Sequence, residues 1–494
     1  MRATYRVDVL HGPVQPPASR AAARRSDTRP ESETPMSTSR RHFVQMLGSS
    51  ALVAPLASLF SRAAHGMPAF GPGFGPLAPA LPLNTQDVFL DGYFDYRNQP
   101  LISLPPEFRY WVISITGKPM SDGTLVPGDH DGMACFRGPN GTTILVRNHE
   151  LSNRETKFGN VRGVDLHDSY KFDTYANGGT TTLVLDDEGR LLRDYASLAG
   201  TNNNCAGGPT PWGSWLTCEE TTAIPNAALS TYQKRHGYVF EVPAVAAGPT
   251  MAQPIIGMGR FSHEATAIDP RTGIVYQTED TGDSLFYRYV PHQPGQLLSG
   301  GVLQALKFRG SAESVNTATG FLDRRNQALP VEWVTIDNPD PVDNTATTTC
   351  RAQGQAKGAA RFVRGEGAWY HDGLVYFCCT SGGNIGAGQI WAYDVARSTL
   401  TLVVESTDRA VLEAPDNITI GPDGRLYMFE DGSGSDNIVG LNAGGDLFRV
   451  AENVINTGEF CGGCFSHNGR FMFVNMQNPG LTLVIEGPWR KGQR

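Results

Sequence analysis

The chain has 494 residues, enough for one large domain or two to three domains of ordinary size. Its net charge is −8 and only 18% of its residues are charged, so no basic character in the composition points to nucleic acid binding. With 56 glycines and 33 prolines the chain is rich in turn-forming residues, which favours an all-β fold.

The N-terminal region has the features of an export signal. Residues 39–44, SRRHFV, form a twin-arginine pattern, and an apolar run over 46–60 leads to the small-x-small sequence Ser61-Arg62-Ala63. We therefore predict a signal peptide over 36–63, the twin-arginine translocase as a partner, and a periplasmic or secreted protein. The run is short for a transmembrane helix, so no stable span is expected after cleavage; a buried helix or an uncleaved anchor are the alternatives. Residues 1–35 are predicted to be a disordered or non-native extension.

Two further segments follow the signal. Residues 64–85 are rich in Gly and Pro, have no helical period and are predicted to be a linker. From residue 86 to 494 one pattern repeats: a short run, a turn closing on Gly, an apolar strand, then acidic or amide residues. The turn glycines are Gly141, Gly213, Gly273, Gly373, Gly424 and Gly469.

Asn-Gly, Asp-Gly and Thr-Gly turns between β-branched and aromatic runs are typical of β-hairpins. One hairpin type that recurs with variable insertions predicts a six-bladed β-propeller over 86–494, with a β-sandwich as the competing architecture. Asp187-Glu188-Gly189 is predicted to be the turn of an outer hairpin. The longest interval, 282–363, contains polar stretches at 311–326 and 337–357 that predict little regular structure and an inserted loop over the channel mouth.

In a propeller the innermost strand of each blade begins at the channel mouth and the next strand returns there, so both ends should line one rim. The first positions of the six repeats are Asp131, Cys205, Glu264, Glu366, Asp416 and Cys461. The return ends are Asn148-His149-Glu150, Glu219-Glu220, Glu279-Asp280, Thr380-Ser381, Glu430-Asp431, and Asn475 with Gln477. So many carboxylates would repel one another unless cations neutralised them, although any single pair could be a solvated acidic end.

The residue types at this rim indicate which metals it would bind. Oxygen-rich clusters suit calcium, whereas a Cys thiolate with Glu suits a transition metal such as iron. Arg364 lies two residues before Glu366, on the same strand face, and its planar fork suits a phosphate oxygen; a salt bridge to the rim is the alternative. Cys461 and Cys464 form a CxxC without a second one, which leaves a disulfide, a redox pair or packing open. Adjacent Cys378 and Cys379 are predicted to face opposite ways in the core.

Several long motifs resemble those of the PhoX family of exported alkaline phosphatases, and together they extend over most of residues 86–490. They are TNNNCAGGPTPWGSWLTCEE at 201–220, GRFSHEATAIDPRTGIVYQTEDTGDSLFYRYVP at 259–291, GEGAWY at 365–370, APDNITIGPDGRLYMFEDGSG at 414–434 and CFSHNGRFMFVNMQNPG at 464–480. The resemblance implies a six-bladed propeller with Fe3+ and Ca2+ in its channel mouth.

The resemblance also implies roles for individual residues. It makes Cys205, Glu264 and Glu366 iron ligands, Glu220 a calcium ligand and Arg364 the residue that holds the substrate phosphate. Glu430 and Asp431 are further metal-binding candidates, and Glu150, Glu219, Glu279 and Asp280 are weaker candidates from their places on the rim. No second phosphate-binding cation stands out; Arg147 and Lys171 are the candidates.

The predicted function is that of an exported, metal-dependent phosphomonoesterase, an alkaline phosphatase that is expected to be a monomer. The motifs contain no Ser or Thr nucleophile elbow, so Cys205 is interpreted as a ligand and not as a covalent catalyst. Two other functions stay open from the residues. One is a calcium-dependent lactonase, and the other is a non-catalytic periplasmic binding propeller whose acidic rim holds calcium for stability.

Overall fold

The structure of the protein is a computed structural model that describes residues 73–152, 163–225, 232–245, 247–342 and 347–490. All of them belong to the second of two compact units of the chain, Ala54–Arg494. The predicted N-terminal extension and signal peptide lie outside the described residues, so both stay predictions. Across the described ranges, no helix has the length and apolar character needed to cross a bilayer.

The described residues form 28 β-strands and one α-helix, besides short 3-10 turns. The first fourteen strands are β1 Ala78–Ala80, β2 Phe89–Leu90, β3 Phe94–Asp95, β4 Ile102–Leu104, β5 Arg109–Ile115, β6 His130–Arg137, β7 Thr143–His149, β8 Gly178–Leu185, β9 Leu191–Thr201, β10 Asn204–Pro209, β11 Ser214–Glu219, β12 Val239–Pro243, β13 His263–Ile268 and β14 Val275–Glu279. Then follow β15 Tyr287–Pro291, β16 Gly301–Phe308, β17 Leu329–Thr335, helix α1 Cys350–Ala356, β18 Gly365–His371, β19 Leu374–Cys379, β20 Gln389–Asp394, β21 Thr399–Glu405, β22 Pro415–Ile420, β23 Leu426–Glu430, β24 Asn437–Leu441, β25 Leu447–Asn453, β26 Phe460–Phe465, β27 Phe471–Met476 and β28 Leu481–Glu486.

The six predicted hairpins are all present. They pair β6 with β7, β10 with β11, β13 with β14, β18 with β19, β22 with β23 and β26 with β27. Their predicted turn glycines all have left-handed backbones, with φ between 68° and 89°, a conformation that costs glycine little. The predicted outer turn at Gly189 also has positive φ and joins β8 to β9.

Each hairpin belongs to a larger antiparallel sheet. Three sheets follow the chain order: β6 to β9, β10 to β12, and β26 to β28 with β5 added next to β28. In a fourth sheet, β22 to β25 are extended by β4 and β1. In a nine-stranded sheet, β13 to β17 lie next to β21, which is followed by β20, β19 and β18. The first strands of successive hairpins lie side by side, and β26 lies next to β6. Glycine allows these strands to approach closely, since a Cβ on Gly132 in β6 would lie 2.5 Å from Ala206 Cα in β10.

The apolar core is divided among the faces of neighbouring sheets. Six buried clusters each lie between two successive hairpin-containing groups of strands, and one of them joins the last group to the first. In that cluster Leu145 and Leu183 pack with Phe473 and Val484. Strands buried on both faces by such packing produce the propeller-like, all-β arrangement that the hairpin repeat predicts.

Two sequence predictions need correction. The described part of the predicted linker, 73–85, packs on the sheets: β1 pairs with β4, and Phe74 contacts Phe108 and Trp489 edge to face. Gly and Pro exclude helix there, but they do not prevent a short edge strand. The interval 337–357 contains helix α1, which Thr349 caps by accepting a hydrogen bond from Ala352 N, whereas a low-order loop was expected.

Candidate metal centre

The first strand of every hairpin has a register shift close to the residue predicted to face the channel. The shifts lie between His130 and Met133, Asn204 and Gly207, His263 and Thr266, Gly365 and Ala368, Pro415 and Asn417, and Cys461 and Cys464. Five of the predicted first positions lie inside a shift, and Cys461 lies at the start of one. A β-bulge turns a side chain away from the regular alternation of its strand, so these shifts re-aim the candidate ligands.

Three groups of candidate ligands result. In each group the donor atoms of three side chains lie within 4.8 Å of one another. The groups are Cys205, Glu220 and Glu264 (group 1); Glu264, Glu366 and Asp416 (group 2); and Asp131, Glu459 and Cys461 (group 3). Glu264 belongs to two groups, so the predicted ligands Cys205, Glu264 and Glu366 are distributed over a pair of adjoining groups and do not form one triad.

These carboxylates are buried among charges of their own sign. Burial, followed by the charges of Asp416 and Glu220, raises the pKa of Glu264 well above its usual value. Burial and the neighbouring Glu150 and Asp280 raise the pKa of Glu220 to about 10. Such groups must take up either protons or cations. A mixed sulfur and oxygen set in group 1 fits a transition metal, and the all-oxygen set in group 2 fits calcium.

Acidic pairs lie at the ends of three second strands, and the two members of each pair have different partners. Consecutive side chains in a strand point to opposite faces, so only one member can face the channel. Glu220 belongs to group 1, Asp280 binds Arg364, and the charge of Asp431 raises the pKa of Asp416, after the larger effect of burial. The second member of each pair therefore lies at the centre.

The first members, Glu219, Glu279 and Glu430, belong to none of the three groups formed by the described residues. Glu279 accepts hydrogen bonds from Tyr287 Oη at 2.8 Å and Arg351 Nη1 at 3.1 Å. Glu430 accepts bonds from backbone N–H groups of Glu413 and Asn437. Their carboxylates thus bind donors on neighbouring strands, on helix α1 and at residue 413, and the structure does not bring them to the ligand groups.

Among these three first members, the Glu219 carboxylate accepts the most hydrogen bonds. Its carboxylate accepts bonds from His236 Nδ1 at 2.7 Å and from the backbone N–H of Gly237 at 2.8 Å. His236 Nε2 lies 3.4 Å from Asp173 Oδ2, and all three side chains are buried. Burial alone would lower the pKa of His236, but Glu219 and Asp173 outweigh it and raise the pKa to about 9.

We predict that His236→Gln lowers the free energy of unfolding at pH 7 by about 3–5 kcal/mol, because it leaves two buried carboxylates without their cation. Since the folded-state pKa lies above the unfolded value, the stabilisation is present at low pH and is lost as the pH rises through about 9. The difference between wild type and variant should therefore narrow towards about pH 10. Denaturant unfolding at several pH values measures it, with the exposed His371→Gln as control. A difference that is constant with pH would contradict a charged His236.

Glu150 is held between groups 1 and 3 by two amide side chains. Its Oε1 accepts a hydrogen bond from Asn203 Nδ2 at 2.9 Å, and its Oε2 accepts one from Gln477 Nε2 at 2.8 Å. Asn203 also donates to Glu220 at 3.2 Å, and Gln477 donates to Asp131 at 3.3 Å. The two amides therefore connect Asp131 and Glu150 of the β6–β7 hairpin with Glu220 of the β10–β11 hairpin.

Arg364 lies at the edge of group 2 with a left-handed backbone, φ 50°. Its Nε and Nη2 bind the two Asp280 oxygens at 3.0 and 3.1 Å, and Nη2 also binds Glu366 at 2.6 Å. The side chain is 37% exposed, so it faces the acidic centre and solvent together. The salt bridge considered as an alternative from the sequence is present, and it fixes the plane of the guanidinium beside the candidate ligands.

The two other cations considered from the sequence lie elsewhere. Arg147 is fully buried and donates to Thr482 Oγ1 at 2.6 Å and Thr181 Oγ1 at 2.9 Å. Lys171 pairs with Asp168 at 3.1 Å. Neither belongs to the three groups, so both are corrected as phosphate-binding candidates: Arg147 is buried between its own sheet and the sheet that contains Thr482, and Lys171 is held by a local ion pair.

Glu459 is the ligand candidate that the sequence reasoning missed. It comes just before β26, and the repeat assigned only the first residue of each pattern to the rim. The signal that could have found it is its spacing: Glu459 stands two residues before Cys461, and residues two apart in extended chain share a face.

Comparison with known proteins identifies the family and the fold of the chain. The sequence model described as alkaline phosphatase PhoX matches residues 92–192 and 188–480. A solved structure of Pseudomonas fluorescens PhoX in complex with vanadate, a transition state analogue, is 18% identical; the match covers 78% of this chain and 96% of that one, with a TM-score of 0.59. A gluconolactonase from Xanthomonas campestris is 12% identical, with 85% and 100% coverage and a TM-score of 0.42. No curated protein sequence matches the chain.

The family match extends over far more than half of the chain and includes all eight residues of the three ligand groups and Arg364. The match to the solved PhoX structure covers 96% of that chain, so the propeller-like arrangement is shared over nearly its whole length. The chain therefore belongs to the PhoX family of alkaline phosphatases, which are phosphoric monoester hydrolases.

Proposed function

We propose that this phosphatase is an exported enzyme that releases inorganic phosphate from small phosphate esters at a cluster of iron and calcium in a six-bladed propeller. The blade number is supported by the side-by-side succession of the first strands and by the cores between neighbouring sheets. Export is supported by the twin-arginine pattern at Arg40-Arg41 and by the membership of an exported family. The division into a signal peptide over 36–63 and an enzyme domain that follows it is part of the same proposal.

The residues of groups 1 and 2 would hold the metals. Cys205 with Glu220 and Glu264 offers a thiolate and two carboxylates for iron, and Glu366 with Asp416 offers oxygen ligands for calcium. Asp431 and Asp280 lie beside these groups, where their charges act on Asp416. Bound cations would offset the negative charge of the carboxylates and of the phosphoryl group during transfer. The fit rests on buried carboxylates that otherwise raise one another's pKa values.

Arg364 would bind and orient the phosphate ester. Asp280 and Glu366 engage its Nε and Nη2, and within the described residues its Nη1 makes no hydrogen bond. A guanidinium that is fixed in this way presents a planar donor to a phosphate oxygen without first losing the freedom of a mobile side chain. Asp280 is then a positioning residue, which holds the fork at the angle that the phosphate requires.

One observation carries the proposal: a thiol and several carboxylates that are far apart in sequence meet at register shifts, next to a partly exposed arginine. The test is the turnover of p-nitrophenyl phosphate at alkaline pH, measured on the as-isolated protein together with its iron and calcium content. We expect turnover that disappears on chelation and returns when both metals are restored. Full occupancy by both metals without turnover would overturn the proposal, as would unchanged turnover after both metals have been removed.

A further inference from the structure

Group 3 contains the second buried thiol that lies beside carboxylates at the mouth of the first strands. Asp131 comes from β6, Cys461 from β26 and Glu459 from the residue before β26, and their donor atoms lie within 4.8 Å of one another. Cys461 is fully buried and Asp131 is 6% exposed. Across the described part of the chain, the Glu459 carboxylate accepts no hydrogen bond, so it is available to a ligand.

The surroundings of Cys461 are not those of a thiol packed in an apolar core. Cys464, Cys378 and Cys379 each belong to a hydrophobic cluster, whereas Cys461 belongs to none of the clusters formed by the described residues. Its Sγ lies 3.0 Å from the backbone oxygen of His130, on the same strand as Asp131. A buried thiol among polar groups needs a reason other than packing.

The CxxC spacing does not supply that reason. A register shift separates Cys461 from Cys464, and Gly462 between them has a φ of 63°. Cys464 packs with Met133 and Phe473 in the core, and neither cysteine is in a disulfide. The backbone therefore sends the two thiols to different environments, so they do not act as a redox pair.

Group 3 has the same composition as group 1. Each combines one thiol at the register shift of a first strand with two carboxylates. The strands that carry Cys461 and Cys205 lie on either side of β6, so the two thiols flank Asp131. The described residues thus contain two sets of one thiol and two carboxylates, with their thiols on either side of β6.

We propose that Asp131, Glu459 and Cys461 form a second thiol-containing subsite, which takes a borderline or soft d-block cation such as iron. Binding would release the Cys461 thiol proton to solvent, and the thiolate would exchange its contact with the His130 carbonyl for the metal. The inference rests on the proposed function, because it adds a ligand set to the same metal centre. It also assigns a role to Glu459.

The test compares wild type with Cys461→Ser and with Cys464→Ala, a matched variant in which the buried thiol lies outside the group. We expect Cys461→Ser to bind the d-block ion at least about tenfold more weakly than wild type, so its metal content should fall after dialysis. The metal content of Cys464→Ala should stay at the wild-type level. Wild type should contain two d-block ions per chain, and X-ray absorption at the metal edge should show sulfur bound to each of them; a single such ion would overturn the second subsite. This measurement needs no variant, so it decides the question even if Cys461→Ser does not fold.

The outcomes separate this inference from the proposed function. If wild type contains iron and turns over phosphate esters, but Cys461→Ser has the same metal content and the same sulfur signal, the second subsite is overturned and the proposed function stands. If only half of the d-block ions in wild type have a sulfur neighbour, the second subsite is also overturned, because Cys205 accounts for that signal. If wild type binds no d-block metal at all, both proposals fail.

Discussion

Replacing Glu264 with Gln is expected to lower kcat/KM for p-nitrophenyl phosphate by about a thousandfold or more, the largest effect that we predict for a single residue. Its carboxylate belongs to group 1 and to group 2, so one substitution weakens two metal positions. The amide keeps the size of the side chain but loses the negative charge that cations need. Metal analysis of the variant should show less iron and less calcium together.

Although Glu264→Gln should lose activity, its metal-free form should be more stable than metal-free wild type. Without cations Glu264 is a buried carboxylate surrounded by like charges, so Gln should raise the melting temperature in chelator while it abolishes activity. The matched control is Glu332→Gln, on the exposed side of β17, which should change neither quantity. A Glu264→Gln variant that loses stability in chelator, and keeps its metals, would show that Glu264 supports the fold and is not a ligand.

Replacing Arg364 with Ala is expected to lower kcat/KM by about 10²–10³-fold and to weaken inhibition by inorganic phosphate, because a fixed donor to the phosphate is removed. Arg364→Lys should recover only part of the loss, since an ammonium keeps the charge but has no planar fork. Steady-state kinetics with both variants measures this, with the exposed Arg397→Ala as control.

Metal content distinguishes a phosphate-binding role for Arg364 from a structural one. Arg364 is not a ligand, so iron and calcium should remain at wild-type levels in Arg364→Ala. A variant that loses its metals as well as its activity would indicate that Arg364 mainly balances Asp280 and Glu366.

The hairpins could be predicted from the sequence because their determinants are local. A glycine that must adopt positive φ, placed between apolar runs, defines each turn without knowledge of the rest of the chain. The first positions of the repeat, from Asp131 to Cys461, could also be predicted to converge, since one hairpin type repeated around a propeller brings equivalent residues to one rim.

Other features depend on contacts that no local pattern reveals. The acidic pairs are equivalent in sequence, and only the face of each strand decides that Glu220 joins group 1 while Glu219 binds His236. The partner that engages Glu279, Arg351, lies on a helix 72 residues further along the chain. The strand at 78–80 exists because β4 offers it an edge, which the Gly and Pro content of that segment does not indicate.

The most direct test of the metal centre is an anomalous difference map from crystals of the as-isolated protein, measured on both sides of the iron absorption edge. We predict iron density between Cys205, Glu220 and Glu264, and calcium among Glu264, Glu366 and Asp416. Strong density without anomalous signal at these carboxylates, or carboxylates hydrogen-bonded to one another with no metal between them, would contradict the account.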